Sequence, residues 1–178
     1  MKLLGLLRHA KSDWDDMSLR DFDRGLNARG RKGAALMGKH LKAHGVKWER
    51  LLASPAERVQ RTLEASGIGV TPEFHKELYL ADTDGLIATI RKHGGDTDAL
   101  LVAAHNPGLQ ELALDLVAPT SENDIFAEVM VKYPTASFAV LELDIDNWSQ
   151  VRAGCGKLVH FARPRDLDPE LGPEKVIQ

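Results

Sequence analysis

The sequence predicts an α/β fold, a three-layer αβα sandwich with a mostly parallel central sheet. Short apolar runs alternate with longer amphipathic segments, as they do when helices cross over between parallel strands. The two clearest runs, Leu3 to Leu7 and Ala99 to Ala104, are apolar without alternation, which suits strands covered on both faces. The 178 residues, 43% hydrophobic and 28% charged, suffice for a self-supporting core, and residues 1–178 read as one domain.

The elements follow in order. The strand from Leu3 ends at Arg8-His9, and a polar stretch with five aspartates (Asp13, Asp15, Asp16, Asp21 and Asp23) reads as a long loop. Asn27 is suited to cap a helix running to His44, with Gly45 at its C-terminus. Ala34, Met37, Gly38 and Leu41 share its apolar face. A strand from Arg50 to Ala53 comes next, and Ser54-Pro55 is expected to open a helix that Gly67 ends. An extended piece spans Thr71 to His75. Thr83 or Asp84 is expected to cap a helix through His93, which Gly94-Gly95 stops. After the strand from Ala99, His105-Asn106-Pro107 leads into a helix whose apolar residues recur at Leu109, Leu112, Ala113, Leu116 and Val117. The remainder reads as a hairpin of Ala136 to Leu143 and Ser149 to Phe161. The tail from about residue 165, with Gly172-Pro173, reads as loosely packed.

Charge and composition exclude several function classes. With 23 Lys+Arg against 26 Asp+Glu and no basic run, the chain is a poor match for duplex nucleic acid held by phosphate contacts. A small phosphate site needs only two or three convergent cations and stays open. Cys155 is the single cysteine, which leaves no intramolecular disulfide or thiolate metal cage and suits a reducing cytoplasm. No apolar run approaches the ~20 residues of a membrane span. The aspartate-rich loop lacks the glycine and terminal glutamate of a calcium-binding EF-hand and is expected to be solvated. His40 and His44 have i, i+4 spacing but no third ligand, so a solvated helix face is the expectation there. His75, His93 and His160 carry no signal. No pattern indicates an oligomeric state.

In parallel α/β sheets, sites form beyond the carboxyl ends of the strands. That rule selects Arg8-His9, Ser54 to Arg58 and His105, bringing two arginines and two histidines together. Guanidinium groups match phosphate oxygens with planar paired donors. Neighbouring cations lower the pKa of an imidazole by like-charge repulsion. A neutral histidine can then attack phosphorus while a second donates to a non-bridging oxygen. The competing readings are structural: Arg8-His9 as a polar strand end, Arg58 as a surface helix residue, and His105 as a hydrogen-bonded core histidine. A cation in the first turn of a helix opposes the helix dipole, which disfavours a purely structural Arg58.

Leu7-Arg8-His9-Ala10 at the end of the first strand resembles the signature of the histidine phosphatase, or phosphoglycerate mutase-like, superfamily. Arg8-His-Ala-Lys-Ser12, Asp23-Arg-Gly-Leu-Asn-Ala-Arg-Gly30, Ala53-Ser-Pro-Ala-Glu-Arg58 followed by Thr62, and Ala104-His-Asn-Pro107 occur in the family's order. Within that superfamily the chain looks like the SixA-type phosphohistidine phosphatases. The resemblance implies a phosphoglycerate mutase-like fold and no metal or other cofactor. It implies His9 as the nucleophile, Arg8 and Arg58 as the phosphate clamp, and His105 completing the pocket. Arg24 matches an arginine that lines the pocket, although Gly25 stands where the family carries a proline.

The family's ester-cleaving members supply a carboxylic acid to the leaving group. Here Leu80 holds the matching position, and Glu77, Asp82 and Asp84 are the nearby acids. An alkoxide leaving group needs a positioned acid, worth roughly 10²–10⁴-fold, whereas imidazole leaving from a phosphoramidate can be protonated by solvent. The expectation is therefore a cytoplasmic phosphohistidine phosphatase acting on a phosphorylated protein. The alternatives are a small-molecule phosphomonoesterase and a non-catalytic phosphate-binding module.

Overall fold

The computed structural model describes residues 1–173 of the chain. Its six strands are β1 (Lys2–Arg8), β2 (Arg50–Ala53), β3 (Pro72–Phe74), β4 (Ala99–Ala104), β5 (Phe138–Leu143) and β6 (Gly156–Ala162). They form one sheet in the order β3-β2-β4-β1-β5-β6. β3, β2, β4 and β1 run parallel, while β5 and β6 are antiparallel additions at one edge. Consecutive residues of the parallel strands face opposite sides, and both sides are apolar. Leu52, Leu100 and Val102 join one core, and Leu51, Leu101 and Ala103 join the other. That arrangement explains why these strands read as unbroken apolar runs.

Helices α1 (Ala28–His44) and α2 (Glu57–Ser66) cover one face, contributing Met37, Leu41, Val59 and Leu63. Helices α3 (Thr83–His93), α4 (Gly108–Asp115) and α5 (Asp124–Val131) cover the other, with Leu86, Ile90, Leu109, Leu112 and Val129. Three layers result. Gly38 lets α1 and α2 touch, because a Cβ there would overlap the Ser66 carbonyl. Gly30 plays the same part against the Lys11 carbonyl, drawing the start of α1 onto the chain just beyond His9.

Asn27 caps α1 by accepting from the Gly30 N–H, and Gly45 closes the helix at φ 90°. The other expected caps need correction. α2 begins at Glu57 with no side-chain cap; the Ser54 hydroxyl accepts weakly from the Ala56 N–H at 3.3 Å and is otherwise engaged with His105. Asp82, rather than Thr83 or Asp84, caps α3 by accepting from the Gly85 N–H. α5 has no counterpart in the sequence reading. Its residues are apolar on the exposed side as well, where Met130 and Val131 lie, so no helical period stands out, and Asn123 caps it through the Phe126 N–H.

The second hairpin strand starts at Gly156 instead of Ser149. The segment before it is held by Trp148, which is buried and donates its indole N–H to the Thr97 carbonyl. The tail is better anchored than expected. Helix α6 (Pro164–Leu167) and a 3-10 turn over Pro169–Leu171 pack back on the start of α1. There Arg29 donates to the Glu170 and Gly172 carbonyls, and Lys32 meets Asp168 at 3.0 Å. The last residues of the expected loose tail, 174–178, lie outside the described residues.

Candidate active site

The carboxyl ends of β1, β2 and β4 lie side by side in the sheet, so the segments that leave them meet. β1 delivers Arg8 and His9, the first turn of α2 delivers Arg58, and the end of β4 delivers His105. The His9 and His105 rings lie 5.3 Å apart. Arg58 Nη2 is 3.2 Å from His105 Nδ1, and Arg8 and Arg58 both act electrostatically on His9. Three distant stretches of chain thus bring four residues into one cationic cluster, with His9, Arg58 and His105 buried.

The hydrogen bonds fix the protonation of both rings. His9 Nδ1 lies 2.7 Å from the Ala10 carbonyl oxygen. A carbonyl only accepts, so Nδ1 carries the proton and the Nε2 lone pair is free. At His105 the order is reversed. Arg58 only donates, so Nδ1 accepts from it, and Nε2 donates to Ser54 Oγ at 2.7 Å. Burial lowers the His9 pKa to about 4, against a raising effect from the Ala10 carbonyl and further lowering by Arg8 and Arg58. His105 falls to about 3, again chiefly through burial, with His9 and Arg58 adding to it. The direction matches the expectation from sequence, but the main cause is burial rather than like-charge repulsion.

The supporting shell explains the precision. The Ala10 N–H donates to Thr62 Oγ1 at 2.8 Å, and that hydroxyl donates on to the Arg58 carbonyl at 2.7 Å. One threonine therefore ties the chain after His9 to the helix turn carrying Arg58. Arg8 donates through Nη1 to the Tyr133 carbonyl at 2.9 Å, and Tyr133 is itself anchored by its hydroxyl to the Leu6 carbonyl. Arg8 Nε is buried without a partner among the described residues. An unmet buried donor costs about 1–3 kcal/mol, a cost that a bound oxyanion removes.

Two site residues were missed. Asp21 comes from the loop that the sequence reading left to solvent. Its carboxylate sits 3.0 Å from Arg58 Nη2 and accepts from the Tyr79 hydroxyl at 2.5 Å, while its carbonyl accepts from Arg58 Nη1. Burial alone would raise the Asp21 carboxyl, but Tyr79 and Arg58 outweigh it and the net pKa is lowered. It stands as an ionised counter-ion. The loop itself is structured by Arg24, which donates to the Asp16 and Leu19 carbonyls and lies 4.1 Å from the Trp14 ring centroid. Among the expected acids, Asp82 is committed to its cap, Glu77 and Asp84 are exposed, and Leu80 is 56% exposed with φ 52°. Among the described residues no group of three or more His, Cys, Asp or Glu side chains is placed to hold a metal ion.

Two neutral histidines beside two arginines at the strand ends of a helix-covered, mostly parallel sheet suit the handling of phosphoryl groups. The family model for the histidine phosphatase superfamily (branch 1) matches residues 4–85. An uncharacterized protein of Mycobacterium tuberculosis is 35% identical over 160 residues, covering 89% of this chain and all of its own length. A Mycobacterium leprae protein, also uncharacterized, is 32% identical over 162 residues with the same coverage. Among solved structures, a Nakamurella multipartitia protein provisionally named phosphohistidine phosphatase SixA superposes with a TM-score of 0.79 at 26% identity. That match covers 92% of this chain and 96% of the other. A phosphoserine phosphatase of Entamoeba histolytica shares the fold at a TM-score of 0.61 and 13% identity, over 94% of this chain and all of the other. The chain belongs to the histidine phosphatase superfamily and is a phosphatase. Among the described residues no helix is long and apolar enough to cross a membrane.

Proposed function

We propose that the protein is a metal-independent phosphohistidine phosphatase that removes phosphate from a phosphohistidine of a protein through a phospho-His9 intermediate. The observation that carries this reading is the His9 ring, with Nδ1–H held by the Ala10 carbonyl, Nε2 left with its lone pair free, and Arg8 and Arg58 near enough to act on it electrostatically. Burial keeps it neutral at physiological pH, so its lone pair is available.

In the first half-reaction the His9 Nε2 lone pair forms a bond to phosphorus, and the P–N bond to the substrate imidazole breaks. The departing nitrogen keeps the bonding pair and takes a proton from water. In the second half-reaction water attacks phospho-His9, releasing inorganic phosphate and restoring the ring. Arg8 and Arg58 hold the equatorial oxygens, where charge accumulates. His105 reverses its tautomer as phosphate draws Arg58 away: Ser54 then donates to Nε2, and Nδ1–H donates to a phosphate oxygen. Arg24 acts one step removed, holding the loop that carries Asp21.

The leaving group is inferred from the acids. Asp21 faces the cluster ionised and paired with Arg58, which suits it to balance charge and not to donate a proton. Imidazole departs without a positioned acid; an alkoxide does not. Exposed Trp14, Met17 and Leu19 precede Asp21, and exposed Leu80 follows Tyr79. Apolar side chains beside a site suit contact with a protein surface.

The test compares a phosphohistidine peptide, phosphoserine and p-nitrophenyl phosphate without added metal, for wild type and His9→Ala. Phosphohistidine is expected to turn over at least ~10²-fold faster than phosphoserine, with a trapped phosphoenzyme that His9→Ala does not form. Equal rates on phosphohistidine and phosphoserine overturn the substrate assignment in favour of a phosphomonoesterase. Phosphate binding without turnover of any substrate points to a binding module instead.

A further inference from the structure

A phosphate that takes Arg58 Nη2 must displace what Nη2 already holds. That nitrogen carries two hydrogens; one meets Asp21 Oδ2 at 3.0 Å and the other His105 Nδ1 at 3.2 Å. Each of these acceptors also has a hydroxyl as a second partner. Ser54 Oγ stands 2.7 Å from His105 Nε2, and the Tyr79 hydroxyl donates to Asp21 Oδ2 at 2.5 Å. Arg58 and Tyr79 are the only described side chains that donate to the Asp21 carboxylate, and both use the same oxygen.

Tyr79 is held in place for this contact. Its ring meets Phe22 edge-on at 5.0 Å and His105 at 5.5 Å, and Arg58 Cζ lies 6.0 Å from its centroid. Before it Leu78 is fully buried, and after it Leu80 turns the chain at φ 52°. Residues with a Cβ adopt that left-handed conformation at a cost, which persists where the surroundings fix the backbone. The other charged or titratable groups facing Asp21 are Arg58 on α2, His105 after β4 and His9 after β1. Arg20 and Asp23, on its own loop, pair with each other at 2.8 Å.

We infer that Tyr79 is a positioning residue that keeps hold of the Asp21 carboxylate when phosphate takes Arg58. Without the phenol, Asp21 is left as an anion with no side-chain donor beside the incoming phosphate, and the exchange costs more. With it, the carboxylate keeps a charge-assisted hydrogen bond throughout. Ser54 does the same for His105, so each acceptor released by Arg58 has a hydroxyl to fall back on. The inference rests on the reading of Arg58 as part of the phosphate clamp, and not on the identity of the leaving group.

The experiment measures binding of inorganic phosphate by calorimetry in wild type, Tyr79→Phe, Asp21→Asn and the double variant. Tyr79→Phe keeps the ring against Phe22 and His105 and removes only the hydroxyl. It is expected to weaken phosphate binding about 3–10-fold near pH 7. KM for a phosphohistidine peptide should rise by a similar factor, with kcat within about twofold. The loss should shrink toward pH ~5.5, because a carboxylate deprived of its donors beside an anion takes up a proton. Comparing the two proteins at each pH cancels the titration of phosphate itself. In the Asp21→Asn background the same change should leave binding within about twofold, since no carboxylate remains to be held.

An equal loss in both backgrounds makes the hydroxyl a structural support and overturns the inference. Unchanged or tighter binding in Tyr79→Phe does so as well, as does a loss that is constant with pH. Arg58→Ala separates this inference from the reading beneath it. Phosphate binding that survives Arg58→Ala overturns the clamp and the inference together. Binding lost in Arg58→Ala, with additive effects of Tyr79→Phe and Asp21→Asn, overturns the inference alone.

Discussion

The molecule holds two groups of histidines with similar acidity and different chemistry. At the strand ends, His9 has a pKa of about 4. Where α1 meets β6, His160 also falls to about 4, through burial first and then its neighbours His44 and His40. His40 Nε2 and His160 Nε2 lie 2.8 Å apart, and the His44 and His160 rings are 4.2 Å apart. The solvated helix face expected for His40 and His44 is thus one side of a three-ring stack. Among the described residues the stack has neither a backbone carbonyl to fix a tautomer nor a cationic hydrogen-bond partner. His40 and His160 bond to each other, so either of two tautomers serves. A depressed histidine pKa therefore reports burial. A nucleophile also needs its tautomer locked and its target's charge met.

The largest effect should come from removing a cation from the strand-end group. Arg58→Ala is expected to cost about 10²–10³-fold in kcat/KM toward the phosphohistidine peptide. His160→Phe, in the other group, should leave kcat/KM within about twofold. Equal losses in steady-state assays would dissolve the distinction.

Titration of ¹⁵N-labelled histidines sharpens the same contrast. The His9 ring is expected as the Nδ1–H tautomer above pH 6, protonating with a midpoint near 4. The His40–His160 pair should show exchange between tautomers. Arg58→Gln should raise the His9 midpoint only slightly, because burial outranks the arginines as a cause. A His9 midpoint near the unperturbed ~6.5 would contradict the buried site.

Asp21→Asn tests the counter-ion. The substitution keeps a hydrogen-bonding side chain but removes the charge that holds Arg58, at a distance of 3.0 Å. Inorganic phosphate, read by isothermal calorimetry as a product inhibitor, should bind about 3–10-fold more tightly, as charge-assisted hydrogen bonds are worth about 1.5–3 kcal/mol and only part is recovered. Weaker binding in the variant would show that Asp21 positions Arg58 for phosphate instead of competing for it.

The smallest effect concerns stability. A histidine whose folded pKa lies below its unfolded value binds protons preferentially in the unfolded chain. Stability from His160 is complete above pH ~6.5 and is lost as pH falls toward the folded value of about 4. His160→Phe should flatten that part of the acid dependence by about 1 kcal/mol at most, since the ring is partly exposed and screened. Thermal melts of both proteins at pH 7 and 4.5 measure it, and identical pH dependence would remove the stack from the acid response.

Local chemistry alone determined much of this protein. Doubly covered strands need unbroken apolar runs, so β1 and β4 were legible, and Asn27 and Gly45 marked α1 through backbone demands that few other residues meet. Because parallel strands present their carboxyl ends together, Arg8, His9, Arg58 and His105 were legible as one group. α5, the start of β6 and the docked segment before Pro173 were not, since packing across the molecule sets them and no apolar period marks them. Asp21 and Tyr79 were invisible for a related reason: one aspartate among five in a polar loop becomes a site residue only when Arg24 folds that loop over Arg58. Residue type and spacing specify backbone conformation and burial within an element. Which side chains face one another across elements, and so which charges are paired and which remain for a ligand, is decided only when those elements pack.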